Sequence, residues 1–542
     1  MTRLYARLVA LAMGAMASAA NAAAADEQRL TEMQHTIENL LRALVDKGVM
    51  TREQAETLVT NAQTQAQKDA AAELASKKSQ EEADAGAVRV PYVPEIVKDE
   101  IKKQVLSDLT PQVTNQVVSE ALSNDSLARS LPDWVRRMRW SGDLRVRAQS
   151  DTFASDNFAN SYIDVLAIND KGGFAKAGVA GFANTTEDRQ RLRVRARVGF
   201  DVELGYGWTA GARLTTGNNL RDAVSTNQTL GNYSGRYTVG FDQAWLRWSG
   251  TNRTNRQALQ VTGGRMGNPW LSSDLVWDQD LMFEGIAGNY RYSFSRDDAF
   301  ARNWFVTAGA FPLQEIELSN KDKWLLGGQT GIDWKTLGGE RYRLGAAYYD
   351  FRNITGVRNA FNSTLLDYTA PVFAQRGNTL FDIRNDGGAT NLLALAGEYR
   401  IADITANLDF PIGSAHRLSF NADVVENLGY DRDEVLATTG IDDEERTRGY
   451  QGEIAFGSAR LNERHAWRAS IAYRYLERDA VVDAFTDSDF RLGGTDVKGF
   501  ILGVDFAFSP RAFTRLRYLS GNEIDGLPFG VDVLQLDMNA TF

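Results

Sequence analysis

The sequence predicts an all-β, antiparallel transmembrane barrel preceded by an α-helical segment, and three observations carry this prediction. Apolar and polar residues alternate with period two from Trp134 to the C-terminus. The links between these stretches alternate between short and long, and aromatic residues are frequent at the ends of the stretches. Beyond the first residues, no stretch is long and apolar enough to cross a membrane as a helix. A chain without such a helix can span a bilayer only as a closed barrel.

Residues 1–25 have the composition of an export signal. Arg3 and Arg7 precede the apolar run Leu8–Met16, and small residues continue as far as Ala25. The tripeptide Ala20-Asn-Ala22 fits the small-x-small rule for cleavage. Because the apolar run is shorter than the ~20 residues that a spanning helix needs, we predict a cleaved signal peptide rather than a membrane anchor.

Residues 26–130 are predicted to form an α-helical periplasmic segment. They are rich in Ala, Glu, Gln and Lys. Apolar residues recur at helical spacing and would form a stripe along one helix face: Leu30, Met33, Ile37, Leu40, Leu41, Leu44 and Val45. The heptads are imperfect, so two interpretations stay open. The segment is either a coiled coil that sets an oligomer or contacts the cell wall, or a solvated spacer.

Residues 131–542 contain sixteen predicted strands. The alternations run over 139–149, 190–203, 208–216, 237–248, 257–267, 281–294, 303–311, 323–334, 341–350, 391–410, 417–426, 449–458, 466–477, 498–508, 513–521 and 531–542. The stretch 391–410 is taken as one strand with a bulge, because its apolar phase slips without an intervening turn. An even number of strands places both ends of the barrel on the same side, as in bacterial outer-membrane barrels.

The links and the aromatic residues both favour a membrane barrel over a soluble β-sandwich. Short links (204–207, 335–340, 411–416, 459–465 and 509–512) alternate with long ones (150–189, 217–236, 352–390, 427–448 and 478–497). Outer-membrane barrels have this pattern of short periplasmic turns and long outer loops. Aromatic residues beside the short turns share the outward apolar phase, as in a membrane girdle: Trp208, Trp334, Tyr342, Phe410, Trp467, Phe508 and Phe542.

Composition limits the function classes. A net charge of -10 argues against a nucleic-acid partner, and the absence of cysteine excludes disulfides and thiolate metal sites. Of the three histidines, His35 lies in the helical segment, while His416 and His465 fall in predicted short turns. We therefore predict no enzyme activity, no cofactor and no metal. A carboxylate-only mechanism stays open, and so does a divalent cation held by the acids of 274–280 or 442–445.

The segment 191–203 alternates charged and apolar residues, and its charged face must point to water. One arginine facing lipid at mid-bilayer costs about 2–4 kcal/mol, whereas a whole domain is typically stable by only about 5–15 kcal/mol. A barrel of sixteen strands leaves an aqueous channel, and its closure brings the last strands beside the first. The basic residues predicted to line this channel are Arg145, Arg147, Arg191, Arg193, Arg195, Arg197, Arg213, Arg515 and Arg517.

These arginines have two interpretations. Their positive potential would concentrate anions and orient dipolar solutes. Alternatively, they only brace the lumen through ion pairs with neighbours such as Asp143 and Asp201.

Short motifs occur in order along nearly the whole chain. They are Val90-Pro-Tyr-Val-Pro94, Leu131-Pro-Asp-Trp134, Ser141-Gly-Asp-Leu-Arg-Val-Arg147, the arginine strand 191–203, Leu214-Thr-Thr-Gly217, Ser225-Thr-Asn-Gln-Thr-Leu230, Gly263-Gly-Arg-Met-Gly-Asn-Pro-Trp270, Trp277-Asp-Gln-Asp-Leu281 and Glu284-Gly285. Together they resemble the putative porin family of Gram-negative outer membranes. The resemblance implies passive diffusion of small hydrophilic solutes, a location among outer-membrane lipids and a homotrimer. Phe542 is similar to the C-terminal signal that the barrel-assembly machinery recognises.

The resemblance also suggests where the channel narrows, because general porins fold their third outer loop inward. The corresponding link is 268–280, and the predicted acidic side of the constriction is Asp274, Asp278, Asp280 and Glu284. Carboxylates facing a basic wall would select solutes by charge and dipole. Because this link is short, 150–189 and 352–390 stay as alternative constrictions.

The alternative functions are a structural outer-membrane tether and, less favoured, a barrel hydrolase. An energy-coupled transporter would need a globular plug, and residues 26–130 have too few core residues to form one.

Overall fold

Sixteen antiparallel strands form a closed barrel wall in the computed structural model, which describes residues 137–542 except 220, 253, 296–299 and 318. The strands are β1 (Met138–Phe153), β2 (Arg189–Gly205), β3 (Trp208–Thr216), β4 (Val239–Thr251), β5 (Gln257–Met266), β6 (Phe283–Ser293), β7 (Arg302–Gln314), β8 (Lys323–Lys335), β9 (Arg341–Arg352), β10 (Tyr399–Ile412), β11 (His416–Asn427), β12 (Arg448–Ser458), β13 (Trp467–Leu476), β14 (Val497–Ser509), β15 (Ala512–Glu523) and β16 (Val531–Thr541). Each strand pairs with the next, and β16 pairs with β1, which closes the barrel. The predicted signal peptide and helical segment lie outside the described residues.

Strand β2 shows the two faces that the sequence predicts. Leu192 and Val198 point outward and are 56% and 44% exposed, while the side chains of Arg195 and Arg197 are mostly buried in the lumen. On other strands, aromatic residues beside the short turns are exposed on the outward face: Trp208, Trp334, Trp467, Phe508 and Phe542. The apolar exterior and the aromatic girdle of a membrane barrel are therefore both present.

The short turn between β2 and β3 illustrates how the sequence sets strand register. Tyr206 and Gly207 both have positive φ angles, 52° and 84°. Positive φ at both central residues is typical of a type I′ turn, whose twist matches that of the flanking strands. A Cβ atom on Gly207 would lie 2.2 Å from the carbonyl oxygen of Ser249, so glycine is required there for space as well as for φ.

The predicted bulged strand over 391–410 is wrong, although the predicted number of strands is confirmed. The wall strand β10 begins only at Tyr399, and Leu393–Leu395 form a separate short strand that pairs with Leu380–Asp382. Tyr399 is buried on the inner face of β10, whereas Ile404 is 61% exposed on the outer face. The slip in apolar phase therefore marks the point where a buried loop joins the wall.

The long links contain the remaining regular elements. These are three α-helices, α1 (Val165–Lys171), α2 (Phe174–Ala177) and α3 (Arg432–Thr439), the 3₁₀ helices Gly178–Gly181, Asp367–Thr369, Asp483–Phe485 and Phe490–Leu492, and the strand Gln228–Thr229, which pairs with β2. No helix among the described residues has the length and apolar character needed to cross a membrane.

An apolar core fills part of the barrel interior, where the sequence predicts only an aqueous channel. Trp277, from the link between β5 and β6, lies with its ring centre 5.0 Å from that of Tyr349 and 5.1 Å from that of Phe283. Phe351 and Phe485 stack with their ring centres 5.9 Å apart. The apolar residues on the inner face of β6 to β9 therefore bury loops, and the open lumen is confined to the rest of the cross-section.

Candidate constriction of the lumen

Residues 267–282, here called the first lumen loop, cross the barrel interior. The rings of Trp270 and Trp277 pack against Tyr349 on the wall. Gln329 of β8 holds the loop backbone, because its side chain donates to the Leu271 carbonyl (2.7 Å) and accepts from the Leu271 amide (2.8 Å). Although this loop is short, these contacts hold it inside the barrel, against β8 and β9.

On its far side, the loop is tied to β11. The backbone amide and the hydroxyl of Ser273 both donate to Oδ2 of Asp423, at 3.1 and 2.6 Å. The first lumen loop is thus attached to β8 through Leu271 and to β11 through Ser273, which fixes the backbone just before Asp274.

Residues 477–496, here called the second lumen loop, lie against the first. The amide of Asp278 donates to the Phe485 carbonyl (2.8 Å), and Oδ2 of Asp278 accepts from the Ser488 amide (2.9 Å). Each loop contains an Asp-x-Asp motif in which Oδ1 of the first aspartate accepts from the amide of the second: 2.7 Å in 278–280 and 2.9 Å in 487–489. This local bond turns the second carboxylate of each motif toward the basic wall.

Asp280 meets the arginines of β2. Its carboxylate lies 3.0 Å from Arg195 and 3.3 Å from Arg197, and it accepts a hydrogen bond of 2.8 Å from the Thr226 hydroxyl. Both arginines also contact Asp143 of β1, at 2.8 and 2.6 Å. Two arginines and two carboxylates therefore form a compact network whose charges largely balance.

Asp489 meets the arginines of β1 and β15. Its two oxygens accept from Nη1 of Arg147, at 2.8 and 3.0 Å, and it also pairs with Arg517. Arg147 is 1% exposed and makes a second, two-pronged contact with Asp537, at 2.7 and 2.9 Å. A fully buried guanidinium is stable here because two carboxylates and four hydrogen bonds replace its water.

A third charged group ties the two loops to β13. Arg474 lies 3.0 Å from Asp274 of the first lumen loop and 3.0 Å from Asp487 of the second. Gln451 completes the group by accepting from Arg474 (2.6 Å) and donating to Asp274 (3.0 Å). The position of the two loops is thus set by charge pairing as well as by apolar packing.

The remaining predicted site residues lie elsewhere on the wall. Arg213 pairs with Asp242 (2.6 Å), Arg515 pairs with Asp505 (2.6 Å) and Arg191 pairs with Asp151. Glu284 does not join the acids of the first lumen loop: it pairs with Arg265, its side chain is 58% exposed, and it shares the outward face of β6 with Ile286.

Arg145 and Arg193 differ from these arginines, because within the described residues neither forms an ion pair. Arg145 donates to the amide oxygen of Asn227 (2.5 Å). Arg193 donates to Gln149 (3.2 Å) and Ser225 (3.4 Å). All of these partners are neutral, so both guanidinium groups contribute uncompensated positive charge to the β1–β2 wall.

Burial and neighbouring charges separate the pKa values of the loop acids. Burial raises the pKa of Asp278 well above its ordinary value, and the nearby carboxylates of Asp487 and Asp280 raise it further. Burial acts in the same direction on Asp280 and Asp489, but the surrounding arginines lower the pKa of both carboxyl groups. The arginines therefore favour the charged form of Asp280 and Asp489, while burial and the neighbouring carboxylates make Asp278 easier to protonate than an exposed aspartate.

Two cavities lie on either side of the contact between Asp278 and Ser488. The inner cavity, of about 550 Å³, lies toward the short turns and is polar; its lining includes Asn407, Asn421 and Arg468. The outer cavity, of about 300 Å³, lies toward the long loops and is lined in part by Arg191, Arg193 and Ser488. The layer of paired charges between these cavities is the candidate constriction.

The acids proposed as cation ligands have other partners. Asp442 pairs with Arg432 (2.6 Å), and Asp443 pairs with Arg478 (2.8 Å). Across the part of the chain that the structure describes, no group of three or more histidine or acidic side chains is arranged to hold a metal ion.

Sequence reasoning missed the second lumen loop. Asp487 and Asp489 repeat the Asp-x-Asp spacing of 278–280, and this repeat was the available signal. Arg474 and Asp537 lie on the inner phase of β13 and β16, so their direction was also readable from the alternation. The partners of these two residues could not be read from the alternation, because each ion pair joins segments that are far apart in the chain.

Comparison with family models gives a match along most of the sequence. The family model described as "Putative porin" matches residues 34–542. No curated protein gave a significant match.

Solved outer-membrane proteins are similar at low identity. OprB of Pseudomonas putida is 13% identical, over 75% of this chain and 95% of OprB, with a TM-score of 0.40. The anion-selective porin of Comamonas acidovorans is 12% identical, over 75% and 99% of the two chains, with a TM-score of 0.38. OmpF of Salmonella typhi is 10% identical, over 75% of this chain and 97% of OmpF, with a TM-score of 0.38. Because the family model spans nearly the whole chain, and the described residues close a sixteen-stranded barrel, the protein belongs to the putative porin family and is a channel of the Gram-negative outer membrane.

Proposed function

We propose that the protein lets small hydrophilic solutes diffuse between the outer and inner cavities, with a preference for anions and dipolar molecules and without covalent chemistry. The observation that carries this preference is the absence of an ion-pair partner for Arg145 and Arg193 among the described residues. Paired charges largely cancel at a distance, whereas unpaired ones attract counter-ions into a cleft. Arg147, Arg195, Arg197 and Arg517 are interpreted as braces that hold the two lumen loops.

The constriction also presents charges of both signs to a passing solute. Arginines of β1 and β2 lie there beside the carboxylates of Asp489 and Asp280 from the loops, in ion pairs of 2.8 and 3.0 Å. Opposed charges favour solutes whose own dipole can align with them, as in other charge-lined pores. A dipolar solute would thus pass more easily than a neutral apolar one of equal size.

The test is the reversal potential of single channels in a KCl gradient. Replacing Arg145 and Arg193 together with glutamine should shift the reversal potential toward cations, and Arg193→Glu should shift it further. The control is Arg139→Gln, because Arg139 lies on β1 but is exposed near the short turns and pairs with Glu203. A folded double variant with unchanged selectivity would contradict the role of these arginines, and a barrel that never conducts would overturn the channel function.

We also propose roles for the residues that precede the barrel. Residues 1–25 direct export and are cleaved, and residues 26–130 form a periplasmic helical segment that contacts the cell wall or helps to set the oligomer. Sequencing the N-terminus of the mature protein tests the first role. Co-sedimentation of full-length protein, but not of a variant lacking residues 26–130, with purified cell wall tests the second.

We further propose a homotrimer that forms through the outward face of β5 to β9. A row of small residues crosses this face, where Gly288 of β6 pairs with Ala308 of β7, which pairs with Gly328 of β8. A Cβ atom on Gly288 or Gly328 would meet no heavy atom within 4 Å, so the surface is open there. Small residues let another backbone approach closely in the membrane, which favours protein over lipid as the neighbour.

A further inference from the structure

The outer cavity collects arginines from two separate parts of the chain. Arg189, Arg191 and Arg193 lie on one face of β2, and Arg376 comes from the long loop between β9 and β10. The cavity measures about 300 Å³ and lies toward the long loops. A solute that enters from outside would meet this cavity before the constriction.

The positive charges of this cavity exceed the negative ones. Of its four arginines, only Arg191 forms an ion pair within the described residues, and its partner is Asp151. Arg193 has only the neutral hydrogen bonds already described, and Arg376 is held by its approach to the ring of Phe529, 5.6 Å from the ring centre.

Two carboxylates also line the cavity, but their oxygens bond to backbone amides. Asp164 accepts from the Ala167 amide at 2.9 Å, where it caps helix α1. Asp222 accepts from the amides of Val224 (3.1 Å) and Ser225 (2.9 Å), and burial raises the pKa of its carboxyl group. Together with Asp151, these acids carry at most three negative charges against the four arginines.

Several arginine nitrogens at this cavity lack acceptors. Nε of Arg191, Nε of Arg193 and Nη1 of Arg376 are buried, and no described atom accepts a hydrogen bond from them. Leaving a buried donor unsatisfied is unfavourable, and more so when the group is charged. Three such donors around one cavity indicate that an oxygen acceptor belongs there.

We propose that the outer cavity binds a small organic oxyanion, with its carboxylate or phosphate group between Arg193 and Arg376. Guanidinium groups bind both oxyanions in a two-pronged geometry. The organic part would contact the apolar lining, which consists of Ile163, Leu166, Val224, Phe373 and Leu492. An apolar cavity of about 150 Å³ accommodates benzene, so the space here suffices for a benzene-sized body with its charged group. This inference deepens the proposed anion preference by naming a binding site on the same passage.

Isothermal titration calorimetry on the full-length folded protein in a non-ionic detergent tests this site. The probes are benzoate for the carboxylate, phenyl phosphate for the phosphate and benzyl alcohol as the uncharged analogue. We expect saturable binding of at least one of the two anions and none of benzyl alcohol. The two anions together decide which oxyanion the site prefers.

Variants locate the binding. Arg376→Gln and Arg193→Gln should each weaken binding at least about tenfold, and Arg358→Gln is the matched control. Arg358 lies in the same long loop, but it donates to the Thr439 carbonyl and does not line the outer cavity. Heat-modifiable migration in gels confirms that each variant is folded.

Absence of saturable binding by the wild-type protein, or equal binding by folded Arg376→Gln, would overturn the proposed site. Neither result touches the channel proposal, which depends on conductance and reversal potential. A pore that conducts anions selectively but binds neither probe would thus refute this inference alone. A pore that binds the probes but shows no anion preference would refute the selectivity alone.

Discussion

At the scale of single residues, the lumen arginines differ in partners rather than in position. Arg147 and Arg193 are directly paired in the register of β1 and β2, yet Arg147 contacts two carboxylates and Arg193 none within the described residues. Removing one partner of a buried ion pair typically costs about 3–5 kcal/mol, because the other charge is left without compensation. Arg147 is therefore a stabilising brace, and Arg193 remains available to a solute.

Asp483 gives the second lumen loop a dependence on pH. It is 1% exposed, its Oδ2 atom has no hydrogen-bond partner among the described residues, and burial raises its pKa to about 7. A raised pKa in the folded state means that the neutral carboxyl is favoured. Its contribution to stability is complete below the ordinary value of 3.8 and is lost as the pH rises to about 7.

We therefore expect residues 477–496 to exchange amide hydrogens faster at pH 8 than at pH 5.5, after correction for the intrinsic rates. In Asp483→Asn the difference between the two pH values should be smaller than in the wild-type protein, with amides of β14 as an internal reference. Equal corrected rates in the wild-type protein would contradict the assignment of Asp483 as a buried neutral acid.

At the scale of elements, β2 separates lipid from lumen, and the cost of a misplaced charge should depend on depth. Val198 lies near the middle of β2 and Leu192 near its outer end, both on the outward face. Val198→Arg should destabilise the barrel by about 2–4 kcal/mol, and Leu192→Arg should cost less because it lies nearer the interface. Urea unfolding in lipid vesicles measures both, with Val198→Ala as the control. A larger cost at Leu192 would contradict the assigned depth.

The first lumen loop should depend on Trp277 for its position. Trp277 is 2% exposed and packs against Tyr349, Phe283 and Phe351, so replacing it with alanine removes much of the apolar attachment. Such truncations typically cost about 3–5 kcal/mol when the site cannot collapse. We expect Trp277→Ala to give larger and noisier single-channel conductance than Trp334→Ala, which removes a girdle residue. Equal conductance in both variants would show that the loop is held by its charges alone.

At the scale of the whole molecule, the proposed trimer has a matched pair of test positions. Gly288 and Gly452 both lie on the outward face, and a Cβ atom on either would meet nothing within 4 Å, but Gly452 belongs to β12, outside the proposed contact. Gly288→Trp should yield monomers in native mass spectrometry, whereas Gly452→Trp should leave the oligomer intact. The reverse result would place the contact on the other side of the barrel.

The sequence predicted most of the wall because each strand repeats its pattern every two residues. That period fixes the direction of Arg193 and Leu192 without reference to any other strand, and the cost of a charge in lipid decides which face is wet. The error over 391–410 arose because buried loop residues such as Leu393 are as apolar as strand residues. Periodicity alone could not separate these two cases.

The sequence by itself determined the class of barrel, the number of strands and the inward direction of the arginines, since these follow from local alternation and turns. Only the tertiary structure decided which arginines are neutralised. Arg147 and Asp489 lie 342 positions apart, and they meet because packing inside the barrel fixes the paths of two loops that carry no period of their own. Arg145 and Arg193 keep their charges free because the carboxylates of these loops pair with other arginines.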